Sequence, residues 1–248
     1  MAEKTLSSFE KFIKYIDSIL PLEIELIINN FDRFIYGVGI TLELTILSLI
    51  IGFLLAVPMA VARSSQHAIL SPIIWCYTYV FRGTPLLVQT YLIYYGLGQF
   101  QFIKNSWVWD SILSSAWWCA LIAFTLNTAA YTTELLHGAI NDTPKGEVEA
   151  AIASGHSYFG RIRRIILPSA FRRAIPAYSN EVIFMLHGSV VASTITLQDV
   201  LGVGRWLNGR YYLAYEGFIT AALLYFAIVF GITRIFRMVE RKYLKYLQ

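Results

Sequence analysis

Residues Lys145–Pro168 read KGEVEAAIASGHSYFGRIRRIILP, a polar and basic stretch set between long apolar runs. It holds too many charges to lie in lipid and too much helix-forming sequence to be a plain linker. Thr143-Pro144 predicts a helix start, since Thr can cap and Pro is tolerated at the first helical position. Glu147 and Glu149 then lie near the positive end of that helix, which favours acidic residues. Ala150, Ala151, Ala153 and Ser154 give it a small-residue surface, and Gly155 is suited to a left-handed stop. Ser157 can start a second short helix through Arg161, Arg163 and Arg164, which Pro168 is expected to end. The expected result is a compact helix–turn–helix whose flat face suits docking to another protein.

Outward from this loop the chain is apolar. It is 56% hydrophobic and only 15% charged, with a mean hydropathy of +0.55. A soluble domain carries about 25% charged residues. The deficit falls in runs of roughly 20 apolar residues, enough to cross a bilayer as helix. The fold class is therefore all-α and polytopic. The first thirty residues are mixed polar and amphipathic, with no small-residue cleavage site of a signal peptide. Cys76 and Cys119 lack metal-ligand spacing and are expected to be buried packing residues.

Five spans are expected. The first covers about Tyr36–Ala62. Leu70–Phe81 is apolar but is interrupted by Arg82-Gly83-Thr84-Pro85, and a charge in mid-span is costly. The chain is therefore expected to break there. Leu70–Phe81 becomes an embedded or interfacial connector, Thr84 caps, and Pro85 starts a second span to about Ile103. The others are Ala116–Leu136, Pro176–Leu197 and Phe218–Phe236. This divides the chain into an amphipathic segment over residues 1–35, a membrane domain over 36–236 with a loop at about 143–168, and a basic tail over 237–248.

The Lys/Arg bias of the loops orients the bundle. With the amino end outside, thirteen of the 20 Lys and Arg fall on the inner side, among them Arg63, Arg82, Lys145, Arg161, Arg163 and Arg164. Seven remain outside: Lys4, Lys11, Lys14, Arg33, Lys104, Arg205 and Arg210. The loop at 143–168 and the carboxyl tail are then cytoplasmic. The net charge of +4 needs no nucleic acid, because basic cytoplasmic loops account for it. The tail from Arg237 to Lys245 is expected to lie near anionic lipid.

Polar residues inside the spans are the candidate site. Asn127, Tyr131 and Glu134 recur at i, i+4 and i+7, one helical face flanked by Thr128 and Thr132. Tyr178, Asn180, Glu181 and His187 interrupt the fourth span. An intramembrane carboxylate points to a functional site, so Glu181 either lines a solute path or partners an inner arginine. Asn127 and the threonines either line that path or join helices by hydrogen bonds. Glu134, near the inner end, and Arg82 are gating or structural candidates. His187 is either packed or part of the site. Gly188/Ala192 and Ser189/Ser193 form small-x-x-x-small pairs for packing or a subunit interface. No nucleotide-binding, nucleophile-elbow or His-Glu-x-x-His pattern is present. Catalytic residues and metal ligands are thus not expected, and transport energy must come from an ion gradient or another chain.

Glu149-Ala150-Ala151, then Gly155 after three residues, Ile165 after nine more, and Leu167-Pro168 match the pattern EAA-x3-G-x9-I-x-LP throughout. The chain is thereby identified as a member of the membrane subunits of bacterial binding-protein-dependent ABC importers. The stretch from Phe81 to Gln89, FRGTPLLVQ, resembles the polar amino-acid permeases, as does Ala130-Tyr131-Thr132-Thr133-Glu134. Residues 123–128 (AFTLNT) and 176–183 (PAYSNEVI) are similar to the M-type permeases of histidine/lysine/arginine/ornithine and opine importers. Gly188-Ser189-Val190 departs from that pattern.

The resemblance implies a type I (MetI-like) permease fold with a cytoplasmic coupling helix. It assigns ATPase coupling to Glu149, Ala150, Ala151, Gly155, Leu167 and Pro168. A substrate path would comprise Glu181, Asn180, Tyr178, Asn127, Thr128 and Tyr131. The implied partners are two ABC ATPase subunits holding ATP and Mg, a second permease of the Q type, a periplasmic binding protein, an L-amino acid and membrane lipid. No cofactor is expected in this chain, and its place is the bacterial inner membrane. Two other classes remain open on the residues alone. One is an ion-coupled transporter or channel using Glu181 and Glu134, which leaves the loop unexplained. The other is a purely structural subunit.

Overall fold

The computed structural model describes residues 23–65 and 67–243, and all regular structure among them is helical. The expectations for residues 1–22 and for the tail beyond Tyr243 lie outside the described residues. Helix α1 (Ile24–Asn29) leads into α2 (Phe31–Ser64), whose 34 residues span about 50 Å. Helix α3 (Leu70–Gly83) follows and stops where the break was expected. Thr84 and Pro85 are extended before the chain turns helical again in α4 (Leu86–Tyr91).

The second expected span is not one helix. Beyond Tyr91 it becomes a π turn (Leu92–Gly96), a 3-10 turn (Leu97–Gln99) and the short α5 (Gln101–Lys104). The fall-off in regularity coincides with Gly96 and Gly98. Trp109 lies so close over Gly98 that a Cβ there would stand 2.6 Å from its ring. Helix α6 (Ala116–Asn141) then runs the length of the bundle.

Helix α6 is the centre of the fold. It packs along α2, and Gly52 permits the approach, because a Cβ there would collide with the Thr128 methyl. The main apolar core joins Leu44 and Leu49 of α2 to Ala120, Ala123 and Phe124 of α6. Val182 and Met185 close it from α9 (Leu167–Gly188). Between α6 and α9 lies the polar segment, α7 (Lys145–Ala153) and α8 (Tyr158–Arg161).

Pro168 does not end a helix. A π turn at Ile162–Ile166 carries α8 straight into α9, and Pro168 stands second in α9. The first turn of a helix tolerates its missing N–H, and the π turn shifts the hydrogen-bond pattern ahead of it. After Gly188 the chain tightens into a 3-10 turn (Ser189–Ile195) that Thr196 ends at φ 76°. The two small-residue pairs therefore do not form one helical stripe. Ser189, Ala192 and Ser193 are buried within the chain itself.

Asp199 is fully buried and caps α10 (Val200–Tyr211): its Oδ1 accepts from the Gly202 N–H at 2.8 Å. Its Oδ2 accepts from the Tyr225 hydroxyl at 3.1 Å, tying α10 to α11 (Ala214–Tyr243). Gly204 and Gly217 let those two helices touch backbone to backbone.

Three stretches are long and apolar enough to cross a membrane: Phe31–Ser64, Tyr158–Tyr211 and Ala214–Lys242. The expected five is not reproduced by length and composition among the described residues. The second span is fragmented, and α6 carries Asn127, Thr128, Thr132, Thr133, Glu134 and His137, which dilute its apolar character. Cys119 is buried, its thiol donating to the Leu113 carbonyl at 3.3 Å, but Cys76 is exposed on α3, against expectation.

Candidate functional site

The break after α3 strips four carbonyls of helical partners, a cost that lipid cannot relieve. Side chains relieve it instead. Gln89, on α4, donates from Nε2 to the carbonyls of Phe81 (2.7 Å) and Thr84 (3.0 Å) and to Thr84 Oγ1 (2.8 Å). Its Oε1 accepts from Asn127 Nδ2 at 3.0 Å. Tyr131 donates to the Arg82 carbonyl at 3.2 Å. The Thr84 hydroxyl donates back to the Val80 carbonyl at 2.8 Å, so Thr84 closes α3 and does not cap α4.

One turn further along α6 from Tyr131, Glu134 accepts from Thr78 Oγ1 at 2.7 Å and lies 3.6 Å from the Arg63 guanidinium. The face predicted from i, i+4, i+7 spacing is thus real. Asn127, Tyr131 and Glu134 all engage α3 or the break after it. Glu134 pairs with Arg63, not with Arg82.

A cleft of about 520 Å³ opens beside the break. Arg82, Gly83, Thr84, Pro85 and Leu86 line one wall, Asn127 and Tyr131 the floor, and Glu181, Phe184, Met185 and Gly188 the other wall. The Arg82 guanidinium stands 5.4 Å from the centre of the Tyr131 ring, a cation–π distance. Glu181 is buried, and its Oε1 accepts from Thr128 Oγ1 at 3.0 Å. Its Oε2 has no hydrogen bond among the described residues. Such a wall, opposite charges flanking main-chain ends, suits a small ligand carrying both signs.

The structure brings Asn127, Tyr131, Glu181 and Arg82 together, with Thr128 behind Glu181. It does not bring in Tyr178 and Asn180. Tyr178 packs edge-on against Phe53 of α2, ring centres 5.4 Å apart, outside the residues that line the cleft, and Asn180 is exposed. Tyr178 and Glu181 differ by about 300° around a helix and so face nearly the same way on a wheel, yet one turn of rise separates them. Gln89 and Gly188 were missed as site residues. Gly188 was legible only as a packing glycine, yet a Cβ there would press on Leu86 at 2.9 Å and narrow the cleft.

The helix–stop–helix of the polar segment at 143–168 is built largely as expected. Gly155 holds φ +76°, its N–H bonds the Ile152 carbonyl at 2.9 Å, and the His156 N–H bonds that of Ala151 at 3.1 Å. This pair of bonds is a Schellman stop. Ser157 caps α8, accepting from the Gly160 N–H at 3.2 Å. Two details differ. Pro144 sits at the cap position of α7 without a side-chain cap, and Thr143 Oγ1 instead accepts from Arg173 at 2.9 Å. Ala151 is buried, and the exposed surface of α7 includes Glu149, Ala150, Ile152 and Ala153 beside Lys145, Gly146 and Glu147. Phe159 beside it is 70% exposed. Leu167 and Pro168 are half-buried at the root of α9.

The family model for the binding-protein-dependent transport system inner membrane component matches residues 39–245. The chain belongs to that family. Among curated relatives, the nopaline transport system permease protein NocM of Agrobacterium fabrum (strain C58) is 41% identical over 220 residues, covering 88% of this chain and 91% of that one. The histidine/lysine/arginine/ornithine transport system permease protein HisM of Salmonella typhimurium (strain LT2) is 46% identical over 210 residues, 85% of this chain and 89% of that one. A crystal structure of an amino acid ABC transporter with histidines superposes with a TM-score of 0.79 at 30% identity, over 89% of this chain and 99% of that chain. The family membership and this superposition give the type I, MetI-like permease fold, and the chain is an inner-membrane permease component.

Proposed function

We propose that this chain is the permease subunit of an ATP-driven importer of L-amino acids, with basic amino acids (arginine, lysine, histidine, ornithine) or opines as its substrates. The cleft carries this reading: Glu181 offers a free carboxylate oxygen to a cationic group, and Arg82 stands in the opposite wall to meet a carboxylate. An ammonium or guanidinium group and an α-carboxylate are the two ends of such a substrate. The names of NocM and HisM support the same class. An ion-coupled transporter has no use for the segment at 143–168, which the importer reading employs as its ATPase contact.

The chain then crosses the membrane five times, amino end outside and carboxyl end inside. It works beside a second permease of the Q type, beneath a periplasmic binding protein and above two ATPase subunits that hold ATP and Mg. Glu149, Ala150 and Gly155 on α7 and its stop form the contact with an ATPase, and Leu167 and Pro168 root that contact in α9. The Glu181→Gln variant, reconstituted with its partner subunits, is expected to import arginine at less than about a tenth of the parent rate, the worth of one charge-assisted hydrogen bond. Assembly should be unchanged. Parent kinetics in that variant would remove Glu181 from the substrate path.

A further inference from the structure

We infer that the Arg63–Glu134 pair is a positioning device that sets the rotation of α3 and thereby aims Arg82 into the cleft; this rests on the cleft being the substrate site. Arg63 lies in the last turn of α2 and Glu134 belongs to α6, and the two side chains lie 3.6 Å apart. Each then reaches to α3. Arg63 donates from Nη1 to Ser71 Oγ at 2.9 Å, and Ser71 Oγ donates to the Arg63 carbonyl at 3.1 Å. Glu134 takes the Thr78 hydroxyl at 2.7 Å. Ser71, Thr78 and Arg82 are spaced by seven and four residues, so they share one face of α3 to within about 20° each way. Two ties to a fixed pair on one face set the turn of a helix about its axis. Arg82 is the next residue along that face, one turn past Thr78 and one residue before α3 stops at Gly83.

The pair's own frame is independent of α3. One turn further along, Ser64 Oγ and His137 Nδ1 join α2 to α6 at 2.8 Å. Tyr77 also pins α3 to α6, donating to the Leu126 carbonyl at 2.6 Å. Together with the Tyr131 bond to the Arg82 carbonyl, that tie holds the last turns of α3 against α6, while the Arg63–Glu134 pair ties the same helix from its first turn at Ser71 and again at Thr78. The opposite side of α3 carries the exposed Cys76, whereas Cys119 is buried, so a thiol reagent reports the rotation of α3 directly.

The test uses the full-length chain in its assembled transporter, with arginine as probe. Glu134→Gln, which can still accept from Thr78 but loses the charge, and Arg63→Gln are each expected to weaken arginine binding roughly tenfold. Both should shift the maleimide labelling rate of Cys76, and Arg63→Lys should restore most of both. If either parent variant fails to fold, Ser71→Ala and Thr78→Val each remove one tie and should show the same two shifts. Unchanged affinity with an unchanged Cys76 rate overturns the proposal. So does a loss of folded protein whose remainder binds and labels like the parent, since that marks a pair serving stability alone. Arg82→Gln separates the two readings. If it leaves arginine binding intact, the cleft is not the carboxylate site, while the Cys76 rate still decides whether the pair turns α3.

Discussion

Gln89 shows how much one side chain can hold in this chain. Its amide donates to two main-chain carbonyls and one hydroxyl and accepts from Asn127, so it stands in for the water that lipid denies to a broken helix. Gln89→Leu keeps the volume and removes every one of these bonds. It is expected to destabilise the fold by roughly 2 kcal/mol, the cost of a few buried carbonyls left partly unpaired. Thermal unfolding of the purified chain checks it, and an unchanged midpoint would show that other donors take over. Little in the sequence singled out Gln89, because its partners are carbonyls that only the break exposes. Glu181 and Asn127 were legible as polar residues on apolar helices. Tyr178 and Asn180 were legible in the same way but do not line the cleft, because polarity alone gives neither the height nor the side of a helix that meets it: Tyr178 packs on Phe53 one turn away, and Asn180 is exposed.

Among elements, the close crossing of α2 and α6 depends on Gly52. Gly52→Ala drives a methyl into Thr128, the residue that orients Glu181, and is expected to cost about 1–3 kcal/mol of stability by overpacking. It should also lower arginine uptake in the fraction that folds, measured against transporter quantified in the same membranes. The stop after α7 makes a separate prediction. Gly155→Val forces a β-branched residue to φ +76° and should destroy the Schellman turn while the chain still inserts. ATP hydrolysis is then expected to run without uptake, and normal coupling in that variant counts against α7 as the ATPase contact. This element was legible down to its stop and its second cap, since Gly and Ser act locally. The passage through Pro168 was not. Whether a proline ends a helix depends on the turn before it, and the π turn at Ile162–Ile166 leaves no local mark in the sequence.

For the whole molecule, apolar composition sufficed to place the chain in a membrane and to class it as all-helical. Counting crossings was harder, because a helix surrounded by protein need not be apolar all round, and α6 is such a helix. The proposed topology is open to a direct check. In a chain with Cys76 replaced by Ser, a cysteine put in place of Lys104 should react with an impermeant maleimide in intact cells. One put in place of Lys145 should react only after permeabilisation. The reverse pattern would invert the orientation.

Arg173 carries a mechanical consequence. Its guanidinium reaches from α9 to the Ala139 carbonyl at the end of α6 (2.9 Å), to Thr143 before α7 (2.9 Å) and to Ser169 (2.7 Å), which in turn donates to Glu147 of α7 (3.2 Å). The segment at 143–168 is thus bolted at its root to two long struts of the bundle. If α7 is the ATPase contact proposed above, a push on it is handed through this root to α6 and α9, the two beams that carry the floor and the far wall of the cleft.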